Sequence, residues 1–104
     1  MSLLPLDGPS KQFAVSLTDS TAVEVKDGVN PAYSDRKVVT MMPIDGKMWV
    51  YFGDGDVTPT ANDVKTKGFP HPKGALRSYE ASDTQDMWIV SDTGTIDVRV
   101  AERS

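Results

Sequence analysis

The sequence predicts an all-β fold: a single-domain antiparallel β-sandwich or jelly-roll-like small barrel of about seven or eight strands, with no substantial helix. Short runs that alternate apolar and polar residues recur along the chain, and clusters of Gly, Pro, Asn and Asp separate them. No window of a dozen residues shows the three- and four-residue apolar spacing of an amphipathic helix. A chain of 104 residues fits one domain with one core.

The clearest strand lies near the end of the chain. Ile96, Val98 and Val100 alternate with polar residues, which is typical of a half-buried antiparallel strand. The preceding run, residues 87–90, is apolar on both faces and is predicted to lie deeper in the sheet. Gly94 in the intervening turn is free to adopt a positive φ. We therefore predict a hairpin over residues 86–101.

The same patterns place the other elements. Further strands are predicted at residues 11–18, 21–26, 36–42, 47–52 and 76–81. Asp45-Gly46 is a connection of the hairpin kind. Residues 1–10 are predicted to be an extended arm ahead of a sandwich domain at 11–104, since Pro and Gly disfavour a helix there. Residues 53–75 have no clear periodicity and predict a long loop, with a short strand or edge segment at 64–69.

An internal similarity links two of these strands. Residues 48–55, MWVYFGDG, align without gaps on residues 87–94, MWIVSDTG. Either two similar hairpins supply equivalent central strands of a Greek-key or jelly-roll sandwich, or the similarity arises by chance. Under both interpretations Trp49 and Trp88 are predicted to be buried anchors of the core, because they are the largest apolar side chains of the chain.

Composition limits the chemistry that the chain can perform. There is no Cys, so neither a disulfide nor a thiolate metal site can form. The formal net charge is −4 and the acidic residues are spread along the chain. This balance argues against a nucleic-acid partner and against an anionic membrane surface, both of which need clustered cations. No apolar run approaches the ~18 residues of a membrane-spanning helix.

The sequence contains only poorly supported candidates for catalytic and metal-binding residues. His71 is the single histidine, and its place between two prolines favours a surface-loop residue over a catalytic one. Residues 53–56, GDGD, resemble a calcium loop, but Pro59 and Lys65 occupy the positions that need Gly and Glu. An acidic turn is the simpler interpretation, with an irregular cation site as the alternative. We predict no catalytic, metal or cofactor-binding residue, no cofactor, and no enzymatic activity.

Two apolar features are candidates for partner binding. Leu3, Leu4 and Leu6 on the arm need cover, either on their own domain or on a neighbouring subunit. Phe69 and His71 lie on a Pro-stiffened stretch. Phe69 either plugs the open end of the sandwich or forms a pre-organised anchor for a partner surface. These five residues are the predicted partner-binding set.

Three stretches of the chain carry a resemblance to a known class of proteins: WVYFGDGDVTPTANDV, FPHPKGALRSYEA and WIVSDTGTIDVRVAER. They resemble the small all-β virion proteins of tailed bacteriophages or prophages, the head-decoration or head–tail accessory class, and the resemblance covers roughly residues 36–103. It implies a non-enzymatic structural protein that binds viral capsid or head–tail proteins, forms a homo-oligomer, and is made in the bacterial host cytoplasm before it joins the virion. The family supplies no catalytic residues to carry over.

Two other functions stay open at this point. A carbohydrate- or receptor-binding β-sandwich would present an exposed aromatic pair on one sheet face, for which the candidates are Tyr33, Tyr51 and Tyr79. An enzyme would require several polar side chains to converge in one pocket, and the candidates for that are Asp54, Asp56, His71 and Asp83.

Overall fold

The computed structural model describes residues 10–28, 30–55 and 57–104. This part of the chain folds into eight strands and one short helix, which confirms the predicted all-β sandwich. The elements are β1 Ser10–Leu17, β2 Val23–Glu24, β3 Val38–Pro43, β4 Met48–Phe52, α1 Ala61–Lys67, β5 Phe69–His71, β6 Arg77–Glu80, β7 Met87–Ser91 and β8 Ile96–Arg103.

The strands form two four-stranded antiparallel sheets. Sheet I has the order β1-β8-β3-β6, and sheet II has the order β2-β7-β4-β5. Apart from β4 and β5, consecutive strands lie in different sheets, so the chain crosses repeatedly from one sheet to the other. This connectivity is that of a double-sheet jelly roll, in which two Greek keys share one core.

The hairpin predicted over residues 86–101 is wrong. β7 pairs with β2 and β4 in sheet II, whereas β8 pairs with β1 and β3 in sheet I. The turn after β7 therefore connects the two sheets, and so does the turn at Asp45-Gly46. Gly94 does adopt the expected positive φ, 68°. Local turn chemistry specifies the reversal of the chain but not which strand becomes the hydrogen-bonding neighbour.

The segment predicted as a long loop, residues 53–75, contains α1 and β5. The strand expected at 64–69 is wrong for its first residues, which are helical. Thr60 caps the helix: its hydroxyl accepts from the Asp63 N–H at 3.1 Å, while the Asp63 carboxylate accepts from the Thr60 N–H at 3.1 Å. These hydrogen bonds lower the pKa of Asp63, with the backbone bond from Thr60 as the largest cause. Val64 is fully buried where α1 packs on β4 and β7.

The core lies between the sheets and contains no tryptophan. Its buried members are Leu17, Val25, Val39, Met41, Met48, Val50, Ala81, Met87, Ile89, Ile96, Val98 and Val100. Because side chains alternate along a strand, Met48 and Val50 point inward while Trp49 lies half-buried on the outer face of sheet II. Trp88 lies on the same outer face, between two inward residues of β7. The prediction that both tryptophans anchor the core is therefore wrong.

The two similar segments are nevertheless related in space. β4 and β7 are neighbouring central strands of sheet II, with Val50 opposite Ile89 and Tyr51 opposite Trp88. Each indole donates to a carboxylate: Trp49 Nε1 to Asp92 at 2.8 Å, and Trp88 Nε1 to Asp86 at 2.7 Å.

Candidate functional site

Apolar side chains fill the space between the two sheets. Leu17, Met41, Met48 and Ile89 have no exposed surface, and they come from both sheets. Packed interiors leave few voids larger than a water molecule. A functional site must therefore involve buried polar groups at the ends of the sandwich or its outer surfaces.

His71 is one such buried polar group. Its side chain is 0% exposed, so the surface-loop prediction is wrong and the imidazole is not available for contact with a partner. Nε2 lies 2.7 Å from the Ala75 carbonyl oxygen and Nδ1 lies 2.9 Å from the Tyr79 hydroxyl. A neutral ring satisfies both contacts, donating from Nε2 and accepting at Nδ1. Burial lowers the pKa of His71 and thereby favours this neutral form.

A buried ion pair joins the loops at the other end of the sandwich. Arg36 NH1 lies 2.8 Å from Glu102 Oε2, and both side chains are almost completely buried. The guanidinium also donates to four carbonyl oxygens at 2.8–3.1 Å, those of Val25, Ala81, Ser82 and Gln85. It thereby ties the β2–β3 and β6–β7 connections to β8. Sequence reasoning missed this pair because 66 residues separate its members.

An open groove of about 560 Å³ crosses the outer face of sheet I. We call it the sheet I groove. It is lined by Gln12, Phe13, Ala14, Thr40, Met42, Leu76, Arg99, Val100, Ala101 and Arg103. Three adjacent strands, β1, β8 and β3, supply most of these residues, and Leu76 stands at one side with 71% of its surface exposed. The groove therefore combines two cations with small and apolar side chains.

A smaller pocket of about 220 Å³ lies against the outer face of sheet II. It is lined by Glu24, Gly55, Val57, Thr58, Asp86 and Trp88. The Trp88 indole holds the Asp86 carboxylate, and Gly53 leaves room for it: a Cβ at Gly53 would lie 1.9 Å from Asp86 Oδ2. Glu24 stands directly opposite Trp88 on β2. The pocket thus places two carboxylates beside a half-buried aromatic ring.

The structure does not bring the predicted partner-binding residues together. Leu3, Leu4 and Leu6 lie outside the described residues. Phe69 begins the edge strand β5 and is 61% exposed, so it does not plug the end of the sandwich. Leu76, which sequence reasoning did not select, is even more exposed. Leu76 was assigned to the strand predicted at residues 76–81, and its exposure was therefore not predicted.

The convergence needed for an enzyme is not observed among the described candidates. Asp54 and Asp83 lie in the β4–β5 and β6–β7 connections at one end of the sandwich, whereas His71 ends β5 near the opposite end. Asp56 is outside the described residues. Within residues 10–28, 30–55 and 57–104, no group of three or more His, Cys, Asp or Glu side chains is placed to hold a metal ion. Nor does this part of the chain contain a helix long and apolar enough to cross a membrane.

No protein-family model matches the sequence, and no curated protein matches it. Several solved structures are similar to this chain in fold. A transcriptional regulator of the HTH_3 family from Vibrio cholerae is similar at a TM-score of 0.60 and 14% identity, over 98% of this chain and 48% of that one. The chain thus spans about half the length of that protein.

Two further structures are similar over nearly the whole chain. A cupin superfamily protein from Desulfitobacterium hafniense gives a TM-score of 0.56 at 12% identity, covering 99% of this chain and 73% of that one. A protein from Neisseria meningitidis gives 0.54 at 12% identity, covering 97% and 80%. At these identities the likeness shows a shared β-sandwich fold.

Proposed function

We propose that the chain is a non-enzymatic structural protein of a phage or prophage virion, a capsid decoration or head–tail accessory protein that acts by binding other proteins. The resemblance of residues 36–103 to that class of virion proteins motivates the proposal. Jelly rolls are a common architecture of viral shells, and the absence of cysteine is compatible with assembly in a reducing cytoplasm.

The main support for the proposal is that apolar side chains fill the interior, whereas the exterior has a groove and exposed apolar residues. Side chains occupy the space between the sheets, whereas the sheet I groove, Phe69 and Leu76 present apolar surface outward. Exposed apolar surface beside polar groups is typical of protein-binding sites. The buried Arg36–Glu102 pair and the His71 contacts are explained as supports for loops.

The direct test is to look for the chain in phage particles. Prophages would be induced in the bacterial strain whose genome encodes the chain, and the particles purified on a density gradient and analysed by quantitative mass spectrometry. We expect the chain to band with the major capsid protein at a fixed copy ratio. Its absence from every particle band, with the capsid protein present, would contradict the proposal.

A second candidate function is a carbohydrate-binding module. Tyr51 and Trp88 are cross-strand neighbours on the outer face of sheet II, and both are partly exposed. Aromatic rings of this kind stack on the apolar faces of sugars. Asp86 and Glu24 beside Trp88 offer carboxylates that can accept hydrogen bonds from sugar hydroxyl groups.

A glycan array separates this candidate from the first. If the pocket beside Trp88 binds sugar, the wild-type chain should bind a defined glycan on the array, and the Trp88→Leu variant should not bind it. Trp49→Leu is the matched control, because Trp49 lies on the same face but outside the pocket, with Lys47 Nζ 4.4 Å above its ring. A chain that retains no glycan, or a Trp88→Leu variant that binds as the wild type does, would remove this candidate.

A further inference from the structure

Two arginines dominate the sheet I groove. Arg99 and Arg103 lie on the outer face of β8, the strand at the centre of the groove, with Ala101 between them. The strand register places these residues in rows with β1 and β3: Ala14–Arg99–Met42, Gln12–Ala101–Thr40 and Ser10–Arg103–Val38. On the outer face of β8, the small side chain of Ala101 therefore has a cation on either side of it along the strand.

These two cations are unpaired within the described chain. Neither Arg99 nor Arg103 forms a hydrogen bond from its side chain or an ion pair with another described residue. The other two arginines are both engaged: Arg36 in its buried pair and Arg77 with the Pro70 carbonyl oxygen at 3.2 Å. In a chain with a net charge of −4, two guanidinium groups that are unpaired among the described residues concentrate positive charge in one groove. Guanidinium groups bind carboxylates with well-defined geometry.

We propose that the sheet I groove binds an extended acidic segment of a partner polypeptide. The inference deepens the proposed function and rests on it, since it names the chemistry of the lattice protein that the chain would bind. Arg99 and Arg103 are four residues apart on one strand, which corresponds to about 13 Å at the rise of a β-strand. An extended segment with acidic residues at i and i+4 has the same spacing between its carboxylates.

The rest of the groove fits such a segment. Side chains i, i+2 and i+4 of an extended peptide share a face, so the middle one would meet the small Ala101. Gln12 and Thr40 flank that position with polar groups. Leu76 and Met42 form an apolar shoulder next to Arg99, where an apolar residue of the segment would cover the exposed leucine. Charged pairs of this kind mainly supply specificity and fast association.

Nucleic acid is disfavoured as an occupant. Asp97 lies two residues before Arg99 on the same face of β8, and Glu80 lies in the row of Val38 and Arg103. These carboxylates border the groove and would repel a polymer that carries a charge at every unit. A segment with two acidic residues and apolar neighbours avoids this repulsion.

The test is a titration of the ¹⁵N-labelled chain with a synthetic extended peptide, TETATET, whose two Glu residues are at i and i+4. We expect amide shift changes centred on Gln12, Thr40 and residues 99–103, and weaker binding at higher salt. The double variant R99Q/R103Q should lose about tenfold or more in affinity, because two charge-assisted contacts are removed. The peptide TKTATKT should not bind.

A matched variant controls for net charge. K26Q/K67Q removes two cations on the side of sheet II, both in loose surface pairs at 3.8 and 3.9 Å, and should bind TETATET as the wild type does. The inference is overturned if TETATET produces no shifts, if R99Q/R103Q binds it unchanged while remaining folded, or if the shifts lie outside the groove. None of these results bears on whether the chain is found in particles, so the two proposals can fail separately.

Discussion

Replacing Arg36 with Met is the sharpest test of how the fold is held together. The substitution keeps an unbranched chain of similar length but removes the buried charge. Glu102 would then be a buried carboxylate without its cation, and the carbonyl oxygens of Val25 and Ala81 would lose their donors. Removing one partner of a buried ion pair costs about 3–5 kcal/mol. That is a large part of the ~5–15 kcal/mol by which domains of this size are stable.

The consequence can be measured by urea titration and by thermal unfolding followed by circular dichroism. For a domain of about 100 residues, 1 kcal/mol corresponds to roughly 4–8 °C, so we expect Tm to fall by at least about 12 °C. Lys37→Met is the matched control: Lys37 is adjacent and exposed, and its replacement should change stability by no more than about 0.5 kcal/mol. The double variant R36M/E102L should recover part of the loss, because it leaves no unpaired charge, although the carbonyl oxygens of Val25 and Ala81 still lack their donors. An Arg36→Met variant whose free energy of unfolding lies within about 1 kcal/mol of the wild type would contradict this role of the buried ion pair.

Trp88→Ala should lower the free energy of unfolding by less than Ile89→Ala does, because Trp88 is on the outer face and Ile89 is in the core. For Ile89→Ala a loss of about 2–5 kcal/mol is expected. Urea midpoints in the reverse order would contradict this placement. Gly53→Ala should lower Tm, since its Cβ would collide with the Asp86 carboxylate, and an unchanged Tm would show that this carboxylate is not fixed. Stability should fall as pH drops below about 6.5, the pKa of an unperturbed histidine, because the unfolded chain then binds a proton that buried His71 resists. Comparing pH-dependent urea midpoints with those of His71→Gln isolates this contribution, and identical slopes for the two proteins would contradict it.

The strands were predictable because their alternation is local. Val98 and Val100 point inward and Arg99 outward as the period of two requires, and the turn glycine Gly94 has the expected φ. The partners of the strands were not predictable by the same means. A run such as residues 87–90 can pair with any strand of suitable length, and the jelly-roll order depends on packing between sheets that no local pattern reveals.

The tryptophans were misplaced for a related reason. Size suggested a core position, but the side of the sheet on which a residue lies depends on its neighbours in the strand, and Met48 and Val50 take the inward positions beside Trp49. The Trp49 indole donates to the Asp92 carboxylate, and this hydrogen bond is the main reason why the pKa of Asp92 is lowered.

The helix was missed because seven residues are too few to show a helical period. Its start did carry a signal, since Thr60 and Asp63 have the spacing of a capping box. The candidate site was the least predictable part of the molecule. The sheet I groove unites residues of β1, β3 and β8, and only the register of those strands shows that Arg99 and Arg103 share it with Gln12 and Thr40.

We propose that this chain binds a viral particle through its outer surface. The most direct measurement adds purified chain to particles produced by a lysogen from which its gene has been deleted, and follows co-sedimentation on a density gradient. We expect saturable binding at many copies per particle, with R99Q/R103Q binding more weakly than K26Q/K67Q. Particles that bind no added chain, although the same particles carry it when the gene is intact, would contradict the claim that the folded chain docks onto their surface.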